Sequence, residues 1–420
     1  MKTSNFIILS FFFITSCTYS STQPVDFEVF TQPESYREEG FGVTGNLGER
    51  KTAVILVTFE DMLEPTLEPD IYNKAIFEAE NSINSYIKEI SYNKTSLSGS
   101  VFGWYSLEGD SPCDYNALLS RVIESTDSDI DFSTFSNLII ITPQLIEPTC
   151  LYSAGAAAIG PIEIETDEGN HQIRVSHVIW EGYIGLNNRI ASFTIAHELL
   201  HSFGIWHANS LDCIPTINSE NSPSCVNHEY GNPFSILGKP STLLHPMAFT
   251  KEWLGWLHDD RIFTATKSGI YRIYPLEENS NRPVSIRIPT IRFGMNANGQ
   301  DGYTSANEIY VEFRQPIGFD LLSDDSEISG DQIYNGVLVY TWSVRPNSFQ
   351  RFSEMKKEPI TVLFDTTPRS ITNQNQYNDF SDSRLEIGKT VLFEELNIKI
   401  TTLNITGDGG IDILVEFLSS

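Results

Sequence analysis

Three histidines, a glutamate and a glycine stand at fixed offsets in one short stretch of this chain. His197-Glu198-Leu199-Leu200-His201-Ser202-Phe203-Gly204-Ile205-Trp206-His207 reads H-E-x-x-H-x-x-G-x-x-H. Side chains four apart share a helix face, so His197 and His201 can converge on one metal ion. Gly204 can take the left-handed conformation that ends a helix, turning the chain so that His207 arrives as a third ligand. Three protein ligands leave one zinc position for water, which is the catalytic rather than the structural arrangement. Glu198 lies on the same side, placed to take that water's proton as it attacks a carbonyl. At background residue frequencies these matches arise about once per 10⁵ chains of this length, which disfavours a helix with incidental histidines.

All eight histidines fall between positions 171 and 258. The motif already supplies three ligands, so His171, His177, His228, His245 and His258 read as surface or core residues. His228 and His245 are the two that a substrate cleft could use.

The elements that must position these groups follow from periodicity. The motif helix is expected to begin at Asn187 or Asn188, either a good N-cap, and to end at Gly204. Ala53–Phe59 and Leu138–Thr142 are continuous apolar runs, as in buried strands, and Gly99–Leu107 is a third strand. Ile76, Ala79, Ile83, Ile87 and Ile90 recur at helical spacing, and a second helix is expected near Tyr115–Ser125. This order predicts a mixed sheet with helices packed on it. Leu151–Ile159 and Ile173–Trp180 are the remaining strand candidates. The small residues Ala154–Ala158 fit either an edge strand that a substrate backbone could pair with or a tight glycine turn.

From about residue 265 the pattern changes to short alternating segments: Gly269–Tyr274, Val284–Ile288, Glu308–Phe313, Val337–Trp342, Thr361–Phe364, Lys389–Phe393, Ile398–Thr402 and Ile411–Phe417. Turn residues separate them, as in an antiparallel sandwich. The expected fold class is therefore α+β. Residues 51–262 form a mixed-sheet domain that carries the motif, and residues 263–420 form a β-sandwich. Asn296–Gly302 faintly resembles a calcium loop, but its carboxylates are too few to support Ca²⁺, and an exposed polar loop fits better.

The chain has 420 residues and a formal charge of −28. That length suits two domains, and that charge argues against binding nucleic acid or anionic lipid through the protein surface. Residues 1–16 read as an export signal: Lys2 is followed by an apolar run, Phe6–Ile14, too brief to span a bilayer. Ile14-Thr15-Ser16-Cys17 resembles a lipoprotein box, which makes Cys17 a lipidation site and residues 17–50 a tether or short pro-segment. Thr18 is compatible with an outer-membrane destination; a plain signal peptide cut slightly later is the alternative. Four cysteines remain, and in an exported chain they fit two disulfides, with Cys113–Cys150 and Cys213–Cys225 favoured by proximity among three pairings. No C-x-x-C spacing supports a thiolate zinc site.

The long histidine motif resembles that of the metzincin metallopeptidases. Glu89–Tyr105 (EISYNKTSLSGSVFGWY) is similar to the S-Y-G-K-x-x-L-x-G-x-V-x-G-W stretch of gametolysin-like and immune-inhibitor-A-like peptidases. Glu229–Gly238 resembles their Y-G-D-P-F-D-V-M-G element, and Lys251–Leu257 resembles the K-x-x-L-G-W that follows it. Tyr310–Asp320 and Leu363–Pro368 are also similar to segments of those families. The resemblance implies a zinc endopeptidase acting on proteins or glycoproteins outside the cell, with His197, His201 and His207 on zinc and Glu198 as general base. It also implies a methionine turn beneath the ligands, where this chain has Leu237; Met247 is the alternative. Tyr230 is near enough to be a transition-state tyrosine. A reading from another class is an anchored glycan- or matrix-binding protein whose peptidase domain is vestigial.

Overall fold

The computed structural model describes residues 27–34, 44–147, 154–181, 189–213, 225–238, 243–293, 306–322, 330–346, 357–368 and 379–419. Residues 1–16, read above as an export signal, together with Cys17, Cys150, Asn187, Asn188 and the loop 296–302, lie outside the described residues. Among the described residues, no helix is long and apolar enough to cross a membrane.

Four parallel strands form the sheet nearest the motif, in the order Thr95–Leu107, Gly48–Phe59, Asn137–Pro143 and Gly169–Glu181. Gly155–Ala157 lies antiparallel at its margin, and Ile162–Thr166 forms a hairpin with the first part of Gly169–Glu181. The apolar runs are continuous because both faces are covered. Ala53, Ile55, Val57, Leu138 and Ile140 pack against Leu118 and Val122 of the helix Tyr115–Thr126. Val54, Leu56, Ile139 and Ile141 face the helices Ile83–Ile90 and Arg189–Ser202 on the other side. Ser82 and Asp114 cap two of these helices by accepting from the backbone N–H of Ser85 and Ala117.

Two further sheets share one core. The larger runs Ile262–Thr264, Ser285–Phe293, Ala306–Phe313, Gly336–Pro346, Lys357–Phe364, Ala208–Cys213 and Cys225–His228, with Leu385–Glu386 beside Gly336–Pro346. The smaller runs Val29–Phe30, Gly269–Ile273, Ile411–Phe417, Ile398–Ile405 and Thr390–Phe393. Leu211, Phe263, Ile286 and Val311 of the first meet Tyr271, Ile400, Ile413 and Val415 of the second. The whole is a mixed fold in which sheet outweighs helix.

Two strand pairings reach across the boundaries drawn from the sequence. The larger sheet crosses the division at 262/263, because Ala208–Leu211, directly after the third histidine, pairs in parallel with Thr361–Phe364. Leu211 and Cys213 then bury their side chains in the shared core. Within residues 17–50, Val29–Phe30 pairs with Ile270 and Tyr271, and the Phe30 ring stacks on Tyr271 at 4.7 Å. Asn46 also donates to the carbonyl of Phe203 at the end of the motif helix, at 2.9 Å.

Candidate metal centre

The motif lies on the helix Arg189–Ser202, which buries Ile195, Ala196, Leu199 and Leu200 in the core. That anchorage leaves His197, Glu198 and His201 on another side of the helix. Gly204 ends it with φ +106°, its N–H donating to the His201 carbonyl at 2.8 Å. The chain then turns, and its course past His207 is fixed on both sides. Trp206 N–H donates to Pro359 O at 3.0 Å, and Ala208 N–H donates to Leu237 O at 2.8 Å.

The three imidazoles meet. One ligand nitrogen from each of His197, His201 and His207 lies within 4.8 Å of the other two, so the three could hold a metal ion. Their outer nitrogens fix the tautomers. His197 Nδ1 lies 2.8 Å from Ile236 O, His201 Nδ1 lies 2.7 Å from Ile205 O, and His207 Nδ1 lies 2.6 Å from Glu229 Oε1. Carbonyls and carboxylates only accept, so each Nδ1 must carry the hydrogen, and in a neutral ring that leaves the lone pair on Nε2. Two of those inward nitrogens, on His197 and His201, are only 2.9 Å apart. Facing lone pairs repel, and a shared cation removes that repulsion. Burial lowers His197 to about 4 and moves His201 in the same direction, so both rings are neutral, as metal ligands must be.

Glu198 is buried beside this cluster, and desolvation pushes its carboxyl up to about 8. The small-residue strand Gly155–Ala157 runs against it: a β-carbon on Gly155 would lie 2.7 Å from Glu198 Oε1. The Tyr230 ring packs on His207 with centroids 3.7 Å apart, and its phenol is raised above the usual range by burial and by the Glu229 and Glu198 carboxylates. Leu237 is buried in the same cluster as the motif helix and follows the residue whose carbonyl holds His197. Met247 packs in a different cluster with Phe234, Phe249 and Tyr310.

The other candidates sit elsewhere. The His228 ring packs against Phe380, and buried His245 is held between Glu89 and Lys251, so neither joins the three-histidine cluster. His177 is a core residue at 2.8 Å from Thr142 Oγ1, His171 lies in the hairpin opposite Ile164, and His258 is exposed. Cys113 and Cys213 are disulfide-bonded, and the strand register sets Cys213 opposite Cys225. Glu229 is a site residue that motif spacing did not single out. It accepts from both His207 and Trp206 Nε1, at 2.6 and 3.1 Å. The chain matches no protein-family model and no curated protein.

Proposed function

We propose that this chain is a zinc endopeptidase of metzincin type, exported and held at the cell envelope through a lipid on Cys17, acting on proteins or glycoproteins outside the cell. One observation carries the reading: three inward imidazole lone pairs converge beside a buried glutamate. Three imidazole nitrogen donors suit zinc, and their number matches a catalytic ligand set. When bound, zinc would acidify water and polarise a carbonyl. The protein's own groups account for the rest. Glu198 takes the water's proton on a carboxylate oxygen and returns it to the leaving amine, a cycle suited to a carboxyl raised by burial to about 8. Tyr230 keeps its phenolic hydrogen and can donate it to an oxygen that gains charge. The Gly155–Ala157 strand, at the margin of its sheet, offers backbone groups to an extended peptide, and its small side chains let that peptide come close. Ile236 O, Ile205 O and Glu229 hold the imidazoles in one tautomer throughout.

The test is to dialyse mature protein without added metal, measure bound zinc, and incubate it with an unfolded protein substrate. About one zinc per chain and cleavage abolished by a chelator and restored by zinc are expected. Cleavage indifferent to chelation, or a chain that retains no zinc, would refute the proposal.

A further inference from the structure

Three carboxyl groups without side-chain exposure surround one guanidinium. Arg314 Nη1 lies 2.7 Å from Asp320 Oδ2 and 3.7 Å from Glu277 Oε1, and Arg314 Nε lies 3.0 Å from Glu312 Oε1. The other cations nearby are engaged elsewhere. Lys251 Nζ donates to the Tyr92 hydroxyl and to His245 Nδ1, and His245 Nε2 donates to Glu89 Oε1 at 2.9 Å, so Glu89 balances the Lys251 charge through the imidazole. Arg261 donates to the carbonyls of Arg282 and Glu278 and lies over the Tyr92 ring. The Tyr334 hydroxyl donates to the Asp320 carbonyl. If all three carboxyls ionised, one guanidinium would leave two net negative charges in a buried site. A group so placed takes up a proton instead.

Hydrogen bonding decides which group keeps it. Asp320 accepts from His245 N–H at 2.7 Å as well as from Arg314, and Glu312 accepts from Ala248 N–H at 2.7 Å as well as from Arg314. Bonds of that kind favour the ionised form. Glu277 accepts from Gln315 N–H at a longer 3.2 Å, and its Oε1 is buried with no donor among the described residues. The Glu277 and Asp320 carboxyls are in hydrogen-bond contact, which two carboxylates cannot be. Desolvation, and then the Asp320 charge, push Glu277 well above the usual carboxyl range.

The same cluster grips the chain behind the metal centre. Arg314 Nη2 donates to Phe234 O at 2.8 Å, and two residues further on Ile236 O holds His197. An ionised Glu277 would repel Asp320 and compete with it for Arg314, the group that holds Phe234.

We infer that Glu277 and Asp320 share one proton, and that this proton latches segment 234–238, which loosens when hydroxide removes it. The latch needs no metal and does not depend on the proposed activity.

The test uses the full mature protein, as wild type and as Glu277→Gln, whose amide copies the neutral acid and cannot ionise. The infrared difference between the two near neutral pH should contain the C=O stretch of one protonated carboxyl. Deuterium uptake by peptides covering 234–238, corrected for the pH dependence of intrinsic exchange, should rise in alkali by up to about tenfold per pH unit in wild type and stay level in the variant. The unfolded chain releases this proton near 4.5 whereas the folded chain keeps it, so stability falls as pH rises above that value until the folded carboxyl ionises. Over that range the wild-type unfolding constant should climb more steeply than the variant's, by about tenfold per pH unit. A difference spectrum without the carboxyl band, or uptake that rises equally in both proteins, overturns the inference. Wild-type uptake that is level with pH overturns it without recourse to a variant.

Discussion

A β-carbon on Gly155 would lie 2.6 Å from Glu198 Cγ, so the marginal strand and the buried glutamate occupy adjoining space that only glycine leaves open. Gly155→Ala must therefore displace the carboxylate or the strand. A misplacement approaching 1 Å at a reacting group costs on the order of 100-fold in rate. The expected variant keeps its zinc and loses cleavage by about that factor. Comparing kcat/KM with metal content checks it, and unchanged kcat/KM would contradict the geometry.

Glu229 accepts from the outer nitrogen of His207. Loss of such an outer partner typically weakens metal affinity by about 10–100-fold. Glu229→Ala should show that weakening in competition with a zinc chelator of known affinity, while the folded circular-dichroism spectrum persists. Equal affinity would make the contact incidental.

Arg314 has no exposure and ties two parts of the chain together. It pairs with Asp320 at 2.7 Å and Glu312 at 3.0 Å, and it donates to the carbonyls of Phe234 and His245. Removing it leaves buried carboxylates uncompensated, which costs about 3–5 kcal/mol. Arg314→Met should lower the unfolding free energy by that order in denaturant titrations. A loss below about 1 kcal/mol would mean that the network relaxes without it.

His177 is buried neutral, with its pKa lowered by desolvation from about 6.5 to about 4. The unfolded chain binds a proton at this imidazole below about 6.5, whereas the folded chain does so only near 4. The stability it confers is thus complete above that upper value and is lost as pH falls through the window. His177→Gln should show a shallower decline of unfolding free energy across this range than wild type. Parallel declines would assign the pH dependence elsewhere.

The helix, its glycine stop and the third histidine were legible because they are local: offsets along one chain decide which nitrogens can meet. The strands Ala53–Phe59 and Leu138–Thr142 were legible for a similar reason, since covering both faces imposes a continuous apolar run. What escaped depends on pairing between distant segments. Glu229 stands 22 residues beyond His207 and meets it beside the Ala208–Cys213 and Cys225–His228 ladder, whose register periodicity cannot reveal. The parallel pairing of Ala208 with Thr361 spans the presumed domain division, and Val29–Phe30 is too short for an alternating signal. Ile236 and Ile205 act through backbone carbonyls, which no residue type announces.

The most direct test of the central claim compares wild type with Glu198→Gln, each assayed for bound zinc and for cleavage of an unfolded protein. The account predicts equal zinc, one ion per chain, with cleavage in the variant reduced by about 100-fold or more. Equal cleavage by both zinc-loaded proteins would contradict it, since the buried carboxylate would then have no part in the reaction.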